Sequence, residues 1–319
     1  MKFASYAQKT FFFLIGTFVS MGLMFCTTTD GLAHSGGEAI SAPRRGAITI
    51  DGDLAEWASI RLLAQEITTK PQAWYQIVPG GGAGRDTNKG GLRVSRGQID
   101  GDKDLKVTWM TMWDNENLYF AFEVVDDDIN ELKPPYAARD GRNFEGYWLC
   151  FDTKHDAPLK KFANKKFNTA EVAAISTYQP DDTFWEIAPL TARGPGAAFH
   201  KEGEVGDPEL NNPANGHIMA KKSGGTYTFE VRMPWKIFDP YIGKGFKPKD
   251  GDIIGFDITV MDIDPVYDPP KGGAMAWSSD FENDNSPGVL GDIIFSTTAA
   301  VDPKDKLPTS WGKIKHARE

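Results

Sequence analysis

The chain has 319 residues and a formal net charge of -9. This length suits one large domain or two small ones, and the excess of carboxylates argues against nucleic acid and anionic membrane surfaces as partners. The 33 glycines and 20 prolines indicate many turns, and no long helical periodicity is present.

The N-terminus has the pattern of a secretory signal peptide. A charge-free run at 10–26 follows two lysines and is shorter than the roughly 20 residues that span a bilayer. We therefore predict a signal peptide at 1–33, cut after Ala33, and a secreted or periplasmic protein with no membrane span after cleavage. A retained anchor is one alternative. A lipoprotein acylated at Cys26 is another, although Phe25 stands where a lipobox has a small residue.

The cleaved chain would keep Cys150 as its only cysteine, so we expect no internal disulfide. Cys150 lies in the dense apolar run 147–152, which favours a central strand and a small core residue rather than a nucleophile. A chain of this size can bury roughly three quarters of its unfolded surface, so its core must hold it together.

Two-residue alternation, typical of a strand with one buried face, recurs along the chain. The segments 107–113 and 118–125 flank the polar DNEN and predict a hairpin. Alternation continues at 227–233 and 252–262, and 288–295 is the last strand. We expect four tryptophans to pack in the core: Trp57, Trp109, Trp235 and Trp277.

One short helix is predicted at 234–240, with proline in its first turn and Pro240 at its end. Two segments, 80–104 and 193–216, are predicted as long loops. Short strands separated by turns, with no strand–helix alternation, favour an all-β sandwich without a second domain.

An ordered set of segments resembles carbohydrate-binding module family 9, whose members have an IDG…W strand, a WD…LY hairpin that runs into a DD loop, and an SW…G motif before the last strand. These segments lie at 48–60, 107–129, 227–238, 251–264 and 274–295. The resemblance covers roughly 45–296. It implies a jelly-roll-type β-sandwich of two antiparallel sheets at 38–297, followed by a polar tail at 298–319.

The resemblance also implies bound calcium, a groove for saccharide ends, and association with glycan-degrading enzymes. The family grips a sugar ring between two tryptophans, in loops that correspond to 139–145 and 278–288. Neither loop carries a tryptophan here. The candidate carbohydrate-binding residues are the nearest aromatic and polar side chains: Tyr136, Arg139, Arg142, Phe144, Glu145, Phe281, Asn283 and Asp284. Ordinary loop packing is the alternative for each.

Aspartates cluster where predicted strands end, as a hard cation such as Ca²⁺ requires. The candidate metal ligands form three clusters: Asp51 and Asp53, Asp126 and Asp128, and Asp262 and Asp264. Solvated turns are the alternative, because no cluster has EF-hand spacing. We expect any bound Ca²⁺ to be structural.

No HExxH, GxSxG or P-loop motif is present, so we predict a non-catalytic carbohydrate-binding protein that acts in polysaccharide recognition or catabolism. A second hypothesis is an electron-transfer domain similar to the haem-binding subunit of ethylbenzene dehydrogenase. Its candidate ligands are Met110, Met112, Met219, Met233 and Met275. A third hypothesis is a structural interaction domain whose sugar site has been lost.

Overall fold

A computed structural model gives the conformation of the chain. The residues that it describes are 37–68, 92–94, 99, 101–133, 145–157, 179–192, 194, 196–200, 205–206, 209–210, 212, 215–264, 271–278 and 287–298. They belong to one compact unit within Ala33–Glu319.

Fourteen strands form in the described part of the chain. They are β1 (Glu38–Pro43), β2 (Gln65–Ile67), β3 (Leu92–Val94), β4 (Leu105–Trp113), β5 (Asn117–Asp126), β6 (Gly146–Asp152), β7 (Asp182–Ala188), β8 (Ala197–His200), β9 (Val205–Gly206), β10 (Ile218–Lys222), β11 (Thr226–Pro234), β12 (Ile253–Asp264), β13 (Lys271–Ala276) and β14 (Gly291–Phe295). Among the described residues, the helical elements are the short 3-10 helices Ala55–Leu63, Trp235–Phe238 and Pro287–Val289, and one α-helical turn, α1 (Asp239–Ile242).

The strands form one continuous sheet in the order β10-β11-β5-β4-β1-β14-β12-β6-β7-β8-β9, with β2 paired to β4, β13 to β12 and β3 to β13. Strand β1 joins two halves. It pairs parallel with β14, where Glu38 faces Asp292, and parallel with β4, where Ala42 faces Met112. The β5 half comprises β2, β4, β5, β10 and β11, and the β12 half contains the strands from β14 onward together with β3 and β13.

The prediction of an all-β fold is confirmed. The predicted pair of separate antiparallel sheets differs from the structure in one respect, because β1 links the halves through parallel pairs on both sides. The sequence of β1, EAISAP, has no regular alternation that would have marked it as a strand.

The inner faces of the two halves pack on each other through aromatic side chains. Phe120 stacks on Phe256 with ring centroids 5.1 Å apart, and Trp109 meets Trp277 edge-on at 4.9 Å. The predicted inward residues are no more than 1% exposed: Leu118, Phe120, Phe122, Val124, Tyr227, Phe229, Val231, Met233, Ile254, Phe256, Ile258 and Val260. Burying a large apolar side chain is worth about 1.5–3 kcal/mol, so this layer is the main source of stability.

The four tryptophans predicted for the core, Trp57, Trp109, Trp235 and Trp277, are all buried, and so is Cys150. Four of the five methionines considered as haem ligands pack in apolar clusters: Met110, Met112, Met233 and Met275. Within the residues that the structure describes, no helix is both long and apolar enough to cross a membrane.

Two predicted elements differ in detail. The segment 48–60 is not a strand, because Trp57 lies in the 3-10 helix Ala55–Leu63. Pro240 does not end the helix at 234–240 but lies in the first turn of α1, where a missing N–H costs nothing. The predicted loops contain the short strands β3, β8 and β9.

Candidate functional site

Three carboxylates meet where three strands end or begin. Asp126 is the last residue of β5, Glu145 directly precedes β6, and Asp262 lies near the end of β12. The antiparallel register pairs Met261 with Gly146, so Asp262 and Glu145 are brought side by side. One oxygen of each of the three groups lies within 4.8 Å of the others, and the residues are only 1 to 2% exposed.

Glu145 is held by the backbone. Its Oε1 accepts the N–H groups of Asn130 and Ile263, both at 3.3 Å, whereas its buried Oε2 has no hydrogen-bond partner among the described residues. Burial, and then the charges of Asp126 and Asp262, raise the pKa of the Glu145 carboxyl well above its usual range. The three groups therefore repel one another unless a cation or a proton offsets the charge.

The donor set fits a hard divalent cation. Ca²⁺ prefers six to eight oxygen ligands, with carboxylates among them, and the unsatisfied Oε2 of Glu145 is suited to such a ligand role.

The hydroxyl groups of Tyr147 and Tyr227 share a hydrogen bond of 2.6 Å in the core. Burial raises the pKa of both phenols, and the nearby carboxylate charges act in the same direction.

The structure treats the other predicted metal ligands differently. Asp128 donates its backbone N–H to Oδ1 of Asp126 at 2.9 Å. Asp264 is the last residue of β12, and the position of its side chain lies outside what the structure describes. Asp53 forms an ion pair with Lys221 at 3.0 Å on the exposed surface.

The turn that contains Asp51 is attached to a buried carboxylate that the sequence did not single out. Glu230, fully buried on β11, accepts the backbone N–H groups of Asp51 and Gly52 on Oε2, and the indole N–H of Trp57 on Oε1 at 2.8 Å. This arrangement makes Asp51 part of a structural anchor for the 3-10 helix.

Of the predicted carbohydrate-binding residues, only Glu145 falls within the described chain, where it is buried in the carboxylate cluster. The other seven lie outside the described residues: Tyr136, Arg139, Arg142, Phe144, Phe281, Asn283 and Asp284. The ends of both predicted loops are nevertheless fixed, one at Glu145 and the other at Ser278.

A row of three side chains crosses the outer face of the β12 half. Trp148 on β6 is in register with Glu186 on β7 and with Thr259 on β12. Trp148 is the only described tryptophan that is not buried. Its ring packs beside that of Phe184 on the same face of the sheet, with ring centroids 6.0 Å apart. Glu186 and Thr259 are buried, at 3% and 0% exposed, so the half-buried indole of Trp148 is the accessible part of this row and offers an apolar plane.

The described ends of both predicted sugar-binding loops adjoin this part of the sheet, because Glu145 precedes β6 and Ser278 follows β13. The chain enters β6 two residues before Trp148, directly after the loop that contains Phe144. The other loop leaves β13 at Ser278, whose backbone N–H donates to Oδ1 of the buried Asp257 at 3.0 Å. Sequence reasoning left Trp148 unassigned; the alternation in YWLCFD, which places it opposite the buried Tyr147, was the signal that could have found it.

A polar pocket of about 520 Å³ lies at the other end of β5. Its lining includes Asn117, Glu209, His217, Arg232 and Trp235. Glu209 pairs with His217 at 3.1 Å, and Arg232 donates to a ring nitrogen of His217 at 3.3 Å. Burial lowers the pKa of His217, although the bond to Glu209 opposes that shift. These side chains bind each other, which indicates a structural role for much of the lining.

No family model and no curated protein matches this sequence. The structure is similar to a carbohydrate-binding module family 9 structure from Caldicellulosiruptor kristjanssonii in complex with cellotriose, at 18% identity and a TM-score of 0.49, covering 84% of this chain and 98% of that one. A second such structure, in complex with glucose, has 16% identity and a TM-score of 0.49, and covers 84% and 100%.

Proposed function

We propose that this protein is an exported, non-catalytic carbohydrate-binding protein of the jelly-roll sandwich type, which acts in polysaccharide recognition alongside a glycan-degrading enzyme. The observation that carries the proposal is the half-buried indole of Trp148 on the outer face of the β12 half. The ordered sequence resemblance supports it independently.

The indole of Trp148 suits the apolar face of a sugar ring. A pyranose has an apolar C–H face that stacks on an aromatic plane, and a rim of hydroxyl groups. Each hydrogen bond to a hydroxyl nets only about 0.5–1.5 kcal/mol against water, so most of the affinity must come from the area that the aromatic ring covers. Trp148 supplies that area, and the loops that carry Phe144 and Phe281 begin or end beside it.

Calcium has a structural role in this proposal. The ligands would be Asp126, Glu145 and Asp262, and the cation would supply positive charge to a buried group of three carboxylates. Because Glu145 directly follows Phe144 in the chain, a cation at this position would fix the end of a predicted sugar-binding loop. Calcium would therefore order the binding face without contacting the sugar.

Affinity electrophoresis through soluble glycans tests the proposal. The purified protein and a Trp148→Ala variant are run through gels that contain a β-1,4-glucan, a xylan or an α-glucan. We expect at least one glycan to retard the wild-type protein, and Trp148→Ala to weaken binding by about tenfold, or roughly 1.4 kcal/mol. Trp148→Phe, which keeps an aromatic plane, should retain part of the affinity.

The matched control is Leu62→Ala, which removes an apolar side chain that is 69% exposed on the 3-10 helix. It should bind like the wild-type protein, and circular dichroism should show that every variant is folded. If no glycan retards the wild-type protein, the structural interaction domain is the better description. Binding that survives Trp148→Ala unchanged would move the saccharide site away from this face.

A further inference from the structure

A second group of carboxylates lies at the far end of β6, away from the first. Asp152 is the last residue of β6, and it faces Asp182, the first residue of β7, directly across the antiparallel pair. Asp181 precedes β7, and Asp156 lies in the turn that follows β6. Like charges directly opposite each other destabilise a strand pair, so this arrangement requires a compensating feature.

Three of these groups converge on one point. One oxygen each of Asp152, Asp156 and Asp181 lies within 4.8 Å of the others. Asp152 and Asp181 are at most 1% exposed, whereas Asp156 is exposed. The group is thus open to solvent on the side of Asp156 and closed on the other sides.

Two buried oxygens in this group have no hydrogen-bond partner within the described chain. They are Oδ2 of Asp181 and Oδ1 of Asp182. The second oxygen of each carboxylate is occupied, since Oδ1 of Asp181 accepts from Lys154 at 3.1 Å and Oδ2 of Asp182 accepts from the N–H of Gln179 at 2.5 Å. A buried acceptor without a donor is costly, and a cation is the ligand that would satisfy it.

The turn that carries Asp156 is held in place by bonds of its own. Asp152 accepts the backbone N–H groups of Asp156 at 3.3 Å and Ala157 at 3.0 Å. His155 has a left-handed φ of 57°, and its ring bonds Asp292 at 2.9 Å. These contacts fix a sharp turn that places the carboxylate of Asp156 in the group even when no ligand is bound.

Protein charges only partly neutralise the group. Lys154 contacts Asp181, but its side chain is 50% exposed. Four acidic groups, Asp152, Asp156, Asp181 and Asp182, thus lie beside one half-exposed lysine, and this surplus of carboxyl oxygens suits a divalent ion better than a monovalent one.

We propose that Asp152, Asp156 and Asp181 form a second binding site for a hard divalent cation, Ca²⁺ in an extracellular setting, with Asp182 beside it. The site is separate from the first. Asp152 pairs with Gly255 on β12, whereas Gly146, next to Glu145 of the first site, pairs with Met261. These two positions on β12 are about six residues apart, or about 20 Å at roughly 3.3 Å per residue. The proposal does not depend on saccharide binding.

Metal content after dialysis tests it. The purified protein is stripped with EDTA, dialysed against Ca²⁺, and measured by inductively coupled plasma mass spectrometry. We expect about two Ca²⁺ per wild-type chain. Asp156→Asn, at an exposed position that can tolerate the change, and Asp181→Asn should each lose about one ion. Glu145→Gln should lose the other ion, and Glu56→Gln, which changes an exposed acid on the 3-10 helix, should lose none.

The two sites fail in distinguishable ways. Equal Ca²⁺ content in the wild-type protein, Asp156→Asn and Asp181→Asn overturns the second site, whatever Glu145→Gln does. The wild-type protein could instead contain about one ion. If Asp156→Asn then abolishes that ion and Glu145→Gln leaves it intact, the result supports the second site and rules out the first. Circular dichroism of Asp156→Asn shows that a loss of metal is not a loss of fold.

Discussion

Glu145→Gln should change stability in opposite directions with and without Ca²⁺. In the metal-free protein the substitution replaces one of three buried acidic groups with a neutral amide. The new amide nitrogen can occupy the position of Oε2, which has no partner in the described chain, and donate to the carboxylate of Asp126 or Asp262. The amide oxygen can keep the backbone bonds that Oε1 now accepts.

The size of each effect follows from these contacts. An unsatisfied buried polar group costs about 1–3 kcal/mol, so Glu145→Gln should raise the free energy of unfolding of the metal-free protein by about that amount. In Ca²⁺ at a hundredfold excess over its dissociation constant, one bound ion stabilises the wild-type protein by about 2.7 kcal/mol. The variant lacks a charged ligand and loses most of that gain, so the order of stability reverses.

Urea unfolding monitored by tryptophan fluorescence measures both cases, in EDTA and in excess Ca²⁺, with the slope of free energy against urea checked for a change in denatured state. The second cation site contributes equally to both proteins and cancels in the difference. Glu56→Gln should stay within about 0.5 kcal/mol of wild type in both buffers. The reasoning is refuted if Glu145→Gln is less stable than wild type in EDTA, or if Ca²⁺ raises the free energy of unfolding of the variant by as much as that of wild type.

Two further substitutions test the frame that holds the site. Asp114, in the hairpin turn, forms an ion pair with Arg44 at 2.5 Å and accepts a hydrogen bond from the hydroxyl of Tyr119 at 2.9 Å. Asp114→Asn should lower the free energy of unfolding, measured in urea, by about 2–3 kcal/mol. Burial opposes ionisation of Asp114, but the backbone N–H groups of Glu116 and Asn117, followed by Tyr119 and Arg44, donate hydrogen bonds that lower its pKa below the usual value. Its contribution to stability should therefore persist above pH 4 and be lost as the pH falls through that lowered pKa. An acid titration in which Asp114→Asn and wild type lose stability in parallel contradicts this. Gly52 has φ +80°, and a Cβ there would lie 2.9 Å from the backbone carbon of Ala220. Gly52→Ala should therefore lower the free energy of unfolding by about 2–4 kcal/mol. A melting temperature equal to that of wild type would show that the turn can move.

The sequence predicted the inner layer well, because each strand of the core carries its own pattern. Phe120 and Phe122 alternate with residues of the opposite face, and Phe256 and Ile258 do the same, so their burial depends only on strand periodicity. The strands that were missed have weak local patterns. Strand β7 is buried along its whole length, which erases alternation, and β1 is specified by its partners rather than by its own residues.

The candidate site was less predictable because it is built from residues far apart in the chain. Asp126 and Asp262 were chosen as metal ligands for their position at strand ends, and the structure does bring them together. Glu145 was assigned to sugar binding instead, since only the register of β6 against β12 places it between the two aspartates. Asp152 and Asp181 depend in the same way on the pairing of β6 with β7.

The junction at β1 has a consequence for how the chain matures. Residues 38–41 pair with Asp292 to Phe295, roughly 250 positions away, and contacts of such long range form slowly. Strand β1 must therefore remain solvated until β14 is present to pair with it. Proteolytic removal of β1 would uncover the edges of β4 and β14, and removal of β14 would uncover those of β1 and β12. The unpaired backbone groups of such edges would recruit other chains.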